Sequence, residues 1–211
     1  MQLIGMLDSP YVRRVAISLR LLELPFEHRA VSVFTTFEQF QRINPVVKAP
    51  SLVCDDGEVL MDSTLILEYA EALSAPRRSL MPPGIAARQH ALRTIGLALA
   101  ACDKTVQYVY ETNLRPVEKQ HQPWLDRVRG QLLAAYGALE VEVRRETPDA
   151  SKTGITQAGV TSAVAWSFGQ MMLPEIVVAA NYPALRAFSA QAEELEAFVA
   201  APPVGPGVVQ A

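Results

Sequence analysis

Leu7-Asp8-Ser9-Pro10-Tyr11-Val12-Arg13-Arg14 marks the point where an apolar run stops and a helix begins. The preceding residues, Gln2 to Leu7, have the length and composition of a strand. They are followed at once by a hydroxyl or carboxylate cap and a proline suited to the first helical position. Val12, Val15, Ala16, Leu19 and Leu22 then recur at intervals of three and four, with Arg13, Arg14, Arg20 and Glu23 assigned to the other face. The first turn of such a helix has unsatisfied N–H groups and the positive end of the dipole, so an anion is favoured near Ser9. Either Asp8 or Ser9 can serve as the cap.

Working outward, Leu24-Pro25 breaks the helix and 26–31 alternates as a strand, which predicts a right-handed βαβ unit with parallel strands. Residues 36–43 read as a short helix with Phe37, Phe40 and Ile43 on one side. Asp55-Asp56-Gly57 between two apolar runs predicts an antiparallel hairpin. Asp62-Ser63 then caps a helix with Leu65, Ile66, Tyr69 and Leu73 at helical spacing. The order βαβα then ββα describes a small mixed sheet with helices on its faces.

Three prolines within 75–84 end this pattern and set a boundary. Beyond it strand signals vanish, and 86–113, 124–145, 156–172 and 183–199 read as helices. The expected organisation is an α/β domain over 1–75, a linker over 76–84, an all-helical domain over 85–201 and an extended tail over 202–211.

The chain has 211 residues, with 19 basic against 22 acidic, a net charge of −3 and half its residues hydrophobic. It can bury a core, and no global charge draws it to nucleic acid or acidic membranes. Cys54 and Cys102 are far apart and outside any C-x-x-C motif, which argues against a disulfide framework or zinc site and fits a reducing, cytoplasmic setting. Residues 161–180, the most apolar later stretch, are interrupted by Gln170, Pro174 and Glu175 and make a poor membrane span. His28, His90 and His121 have neither metal-ligand spacing nor a Ser-His-Asp pattern.

Ser9-Pro10-x-x-Arg13-Arg14, Asn44-Pro45-x-x-Lys48-Ala49-Pro50 and Asp62-Ser63, in that order and spacing, resemble the cytosolic glutathione S-transferase family, in a serine-type bacterial form. The resemblance covers nearly the whole chain. It implies an α+β protein: a thioredoxin-like N-terminal domain (βαβαββα) followed by an all-helical C-terminal domain. It implies glutathione as cosubstrate, with a cis Pro50 presenting the backbone of Ala49 to the cysteinyl part. Lys48 would reach the glycyl carboxylate. Ser63 would hold the γ-glutamyl carboxylate, and Asp62 its ammonium. Ser9 would be the catalytic group, donating a hydrogen bond to the sulfur and not acting as a nucleophile. Lowering a thiol pKa near 8.5 by ~2 units needs roughly 2.7 kcal/mol, and one hydroxyl donor to an anion supplies ~1.5–3 kcal/mol. Because the dipeptide is Ser-Pro and not Cys-Pro, mixed-disulfide reduction is not available there, and transfer or addition chemistry is expected.

The resemblance further implies a small electrophile bound between the domains near Tyr11, Asp103, Gln107, Tyr108 and Trp166, with a detoxifying role. It implies a homodimer, in which Glu68 and Glu71 could meet Arg88 and Arg93. No metal, nucleic acid or membrane is called for. One departure from the family is Thr156-Gln157-Ala158-Gly159, where Gly159 replaces the usual Asp of a buried capping box and predicts a weaker helix start. The rival reading is a noncatalytic regulator of the same fold, such as a stringent-starvation-type protein; retention of all three motifs favours the enzyme.

Overall fold

The computed structural model describes residues 1–206. The chain divides into two compact units, one of Met1–Leu80 with the described chain from Glu196 onward, the other of Met81–Leu195. The units divide after Leu80, and the described chain from Glu196 groups with the N-terminal unit.

In the N-terminal unit, β1 (Gln2–Ile4), α1 (Pro10–Leu21), β2 (Glu27–Arg29), α2 (Phe37–Ile43), β3 (Ser51–Val53), β4 (Val59–Met61) and α3 (Ser63–Ser74) follow the expected βαβαββα order. The sheet order is β2-β1-β3-β4. β1 and β2 are parallel, as a helical crossover requires, and β3 pairs antiparallel with both β1 and β4. Strand β1 ends at Ile4 because Gly5, with φ +142°, turns the chain out of the ladder.

The polar face expected for α1 is corrected in part. Arg20 and Glu23 are exposed, but Arg13 and Arg14 are each only 2% exposed. Arg13 is covered by the short α8 (Glu196–Val199) and the residues after it: its Nε donates to the Ala201 carbonyl at 2.8 Å, and its guanidinium lies 5.7 Å from the Phe198 ring centroid. Gly205 lies against α1 as well, since a Cβ there would run into the Asp8 carboxylate.

The stripe on α3 also shifts: Ile66, Leu67 and Ala70 pack inward, whereas Leu65 and Leu73 face solvent. In α2 only Phe40 is fully buried, and Phe37 is largely exposed.

The second unit holds α4 (Ile85–Asn113), α5 (Gln122–Arg145), α6 (Gln157–Met172) and α7 (Pro183–Glu193), with short turns at Val117–Lys119 and Ala179–Asn181. The single helix expected over 183–199 is two, α7 and α8, separated where the chain passes from one unit to the other. Within the described residues the tail is free of helix and strand over 202–206, and the rest of the 202–211 expectation lies outside them. No helix of the described residues is long and apolar enough to cross a membrane.

Gly159 has a packing reason. Thr156 still caps α6, accepting from the Gly159 N–H at 3.3 Å. A Cβ on Gly159 would stand 3.1 Å from Ile155 Cγ1 and 3.3 Å from the Phe188 ring, so core side chains fill the space a capping-box carboxylate would take.

Candidate functional site

Three segments of the N-terminal unit bring polar groups together. At the first, Ser9 is the N-cap of α1 and Pro10 follows at the first helical position. The Val12 N–H donates to Ser9 Oγ at 3.5 Å, a long cap bond that settles the choice between Asp8 and Ser9. Accepting there leaves the hydroxyl proton of Ser9 for another acceptor. The loop leading to it is pinned by the His28 ring, whose Nε2 donates to the Gly5 carbonyl at 2.8 Å. Sequence reading assigned no such role to His28.

The second segment is the turn before β3. Buried Asn44 donates from Nδ2 to Ser51 Oγ at 2.8 Å and accepts from the Val46 N–H at 3.0 Å, while Ser51 Oγ donates to the Lys48 carbonyl at 2.9 Å. Asn44 and Ser51 therefore clamp the loop from both ends. Ala49-Pro50 is cis, and Val47 has φ +53°, a conformation rarely adopted by a β-branched residue. The loop and turn hydrogen bonds of the described chain do not use the Ala49 N–H or C=O. Gly5 lies between this turn and α1: a Cβ on it would stand 2.6 Å from Val12 Cγ2 and 3.3 Å from Ala49 Cβ. That close approach is a second feature that sequence reading missed, although the lone glycine ending a strand was a usable signal.

The third segment is the start of α3. Asp62, with φ +72°, is the cap, and its Oδ1 accepts from the Thr64 N–H at 2.9 Å. Ser63 is thereby spared capping and is buried. Arg14 Nη1 donates to Ser63 Oγ at 3.0 Å and to Thr64 Oγ1 at 3.3 Å, tying α1 to the start of α3. Lys48 Nζ stands 4.0 Å from Asp62 Oδ2, both side chains about half exposed, which draws the second and third segments together. Two helix N-termini, an unused strand-like backbone and a lysine at one place suit an extended, multiply charged peptide.

These observations meet those from known proteins. Residues 3–78 match the family model described as glutathione S-transferase, N-terminal domain. The whole chain superposes on a glutathione transferase family member from Pseudomonas fluorescens, solved with bound glutathione, with a TM-score of 0.82 and 27% identity over 97% of this chain and 99% of that one. Residues 3–78 are a glutathione S-transferase N-terminal domain, and the chain has the fold of glutathione transferase family members. A glutathione S-transferase from Methylobacterium radiotolerans, in complex with glutathione sulfonate, is similarly close, with a TM-score of 0.86 and 26% identity over 100% of this chain and 98% of that one. In sequence, the chain is 29% identical over 141 residues to the uncharacterized GST-like protein YibF of Escherichia coli, covering 66% of this chain and 68% of YibF.

The residues expected to hold the electrophile are not of one kind. Tyr11 is half-buried on α1. In the helical unit, Asp103 accepts from Gln107 Nε2 at 2.8 Å and pairs with Lys104 at 3.0 Å, and Tyr108 is half-buried one turn on. Trp166 is buried and packs against Tyr136 and Tyr182 at ring-centroid distances of 6.1 and 5.9 Å. The charges offered to a dimer are also reassigned in part. Glu71 accepts from Leu80 N at 2.9 Å and from Ser79 Oγ, and Arg93 pairs with Glu142 at 2.9 Å, both within the chain.

Cys54 is buried beside Tyr69, and burial pushes its thiol above the ordinary range despite the tyrosine hydrogen bond, so it is no reactive nucleophile.

Proposed function

We propose that this protein is an active glutathione transferase that binds glutathione along the edge built by Ser9, Ala49 and Ser63 and activates its thiol for attack on a small electrophile. The observation that carries the reading is the division of labour at the start of α3: Asp62 caps the helix, so the buried Ser63 hydroxyl is released from that task. Ser63 with the helix N-terminus would then take the γ-glutamyl carboxylate, and Asp62 the ammonium. The Ala49 N–H and C=O would pair with the cysteinyl residue as an added strand, with Pro50 holding the turn. Lys48 would take the glycyl carboxylate.

Ser9 would donate its remaining proton to the sulfur. The thiol releases its proton to water, and the thiolate stabilised by this bond and by the α1 terminus attacks the electrophilic carbon; the new C–S bond forms either as the leaving group departs with its bonding pair or as the π pair of an activated double bond shifts onto the adjacent carbon, which water then protonates. Ser9 keeps its proton throughout. Tyr11 is proposed to face the electrophile. Glutathione bound in relatives supports the ligand, and a cytoplasmic, detoxifying role belongs to the same proposal.

The protein is further proposed to be a homodimer. Leu65 on α3 is 59% exposed and Leu73 shares its face; on α4, Ile85 is 85% exposed and Leu92 lies two turns on. Apolar stripes of this kind are ordinarily covered. Sedimentation at micromolar concentration is expected to give twice the chain mass, and a monomer would refute the dimer. Calorimetric titration with glutathione, followed by turnover across a panel of electrophiles, tests the main reading. Binding with turnover supports it; binding without turnover transfers the protein to the noncatalytic class.

A further inference from the structure

Arg14 is the residue the helical periodicity placed in solvent and the fold placed inside. The residue is buried, and Nη1 reaches the first two residues of α3, at 3.0 Å from Ser63 Oγ and 3.3 Å from Thr64 Oγ1. Burying a cation is costly unless its hydrogen bonds are well made, so one guanidinium nitrogen shared between two hydroxyls ties Arg14 to the start of α3.

The donor chemistry then fixes the direction of the Ser63 hydroxyl. A guanidinium only donates, so Ser63 Oγ must accept from Arg14, and its single O–H is aimed at some other acceptor. The positive charge also lies beside a helix N-terminus, where it adds to the field that favours an anion. We infer that Arg14 is the positioning residue of the carboxylate site at the start of α3, holding Ser63 as a donor and selecting ligands that carry a carboxylate there. The inference rests on the glutathione reading above, in which that group is the γ-glutamyl α-carboxylate. It also makes α1 the common frame of the site: Ser9 at its cap addresses the sulfur, and Arg14, five residues on, addresses the far end of the same ligand.

The test compares glutathione with 4-aminobutyryl-cysteinylglycine, which lacks only that carboxylate, by calorimetric titration of the full chain. Wild-type protein is expected to prefer glutathione about thirtyfold, the worth of one charge-assisted hydrogen-bonded contact. Arg14→Gln should reduce the preference to about threefold by weakening glutathione while leaving the analogue unchanged, with Arg14→Lys intermediate because it restores charge without the fork. Adding Ser63→Ala to Arg14→Gln should cost little more, since the two act as one unit.

A purely structural arginine would weaken both ligands by one factor and keep the preference; that result overturns the inference. Should Arg14→Gln fail to fold, Arg14→Lys decides alone, and an undiminished preference overturns it equally. Wild-type protein that binds glutathione and the analogue alike also overturns the Arg14 inference while sparing the glutathione reading. Wild-type protein that binds neither refutes the glutathione reading and the inference with it.

Discussion

The two units treat their polar side chains in opposite ways. In the helical unit, several buried polar groups are turned inward to pair with backbone or charge inside the unit. Glu140 on α5 accepts from the Ala184 and Leu185 N–H groups at 3.0 and 2.8 Å, capping α7 from a distance where Tyr182 offers no side-chain cap. Tyr136 donates to the Ala165 carbonyl at 2.7 Å, and Glu142 gathers Arg93 and Arg145 at 2.9 Å each. In the N-terminal unit the helix ends are capped sparingly, by Ser9 at 3.5 Å and Asp62 at 2.9 Å, and the groups around them retain donors and acceptors for something else. At the starts of α1 and α3 polar groups keep donors for other partners, whereas those of the helical unit named above are spent within it.

The strongest challenge to this contrast is Glu140→Ala. It leaves two α7 amides and Arg144 without their acceptor, and about 3 kcal/mol of stability should be lost in urea denaturation. A loss under about 1 kcal/mol would mean the buried carboxylate is not securing α7. Gly169→Ala follows, because the added methyl runs into the Tyr136 ring and hydroxyl; overpacking of about 2 kcal/mol is expected as a lowered thermal midpoint. In the N-terminal unit the prediction reverses. Ser63→Ala should weaken glutathione about tenfold while costing only about 1 kcal/mol of stability, because buried Arg14 loses one acceptor and keeps Thr64. If stability falls by more than that and binding does not, the two units do not differ in kind.

Much of the N-terminal unit was legible because its signals are local. Ser9-Pro10, the Asp56-Gly57 hairpin and Asp62-Ser63 each act within a few residues, and the structure carries the corresponding cap, antiparallel pair and helix start. What was illegible came from partners remote in sequence. Arg13 meets Ala201 across 188 residues and Arg14 meets Ser63 across 49, so a helix with one covered face by periodicity has more than one in fact. Trp166 shows the converse limit: aromatic spacing on a helix does not reveal that its ring packs against Tyr136 and Tyr182. Gly159 departs from the family's capping pattern because Phe188 and Ile155 occupy the carboxylate's place.

Acid titration sharpens the contrast at smaller scale. The Arg93 hydrogen bond, opposed by burial and aided by Arg145 and His90, holds the Glu142 carboxyl below the usual range. A carboxylate with a lowered folded pKa stabilises the fold above its unfolded value, near 4.3, and that contribution disappears as pH falls through the folded value. Glu142→Gln should therefore lessen the acid-side decline in thermal midpoint below about pH 4.5, by no more than about 1 kcal/mol given the exposed arginines. An unchanged acid limb would detach Glu142 from the stability of α4 and α5.

The central claim is that Ser9 uses its free proton to stabilise a bound thiolate. Ultraviolet titration of glutathione bound to wild-type protein and to Ser9→Ala measures it directly. The bound thiol should ionise ~2 units below the solution value near 8.5 in wild-type protein, and Ser9→Ala should return at least half of that shift. The same thiol pKa in both proteins, with glutathione still bound, would contradict the account.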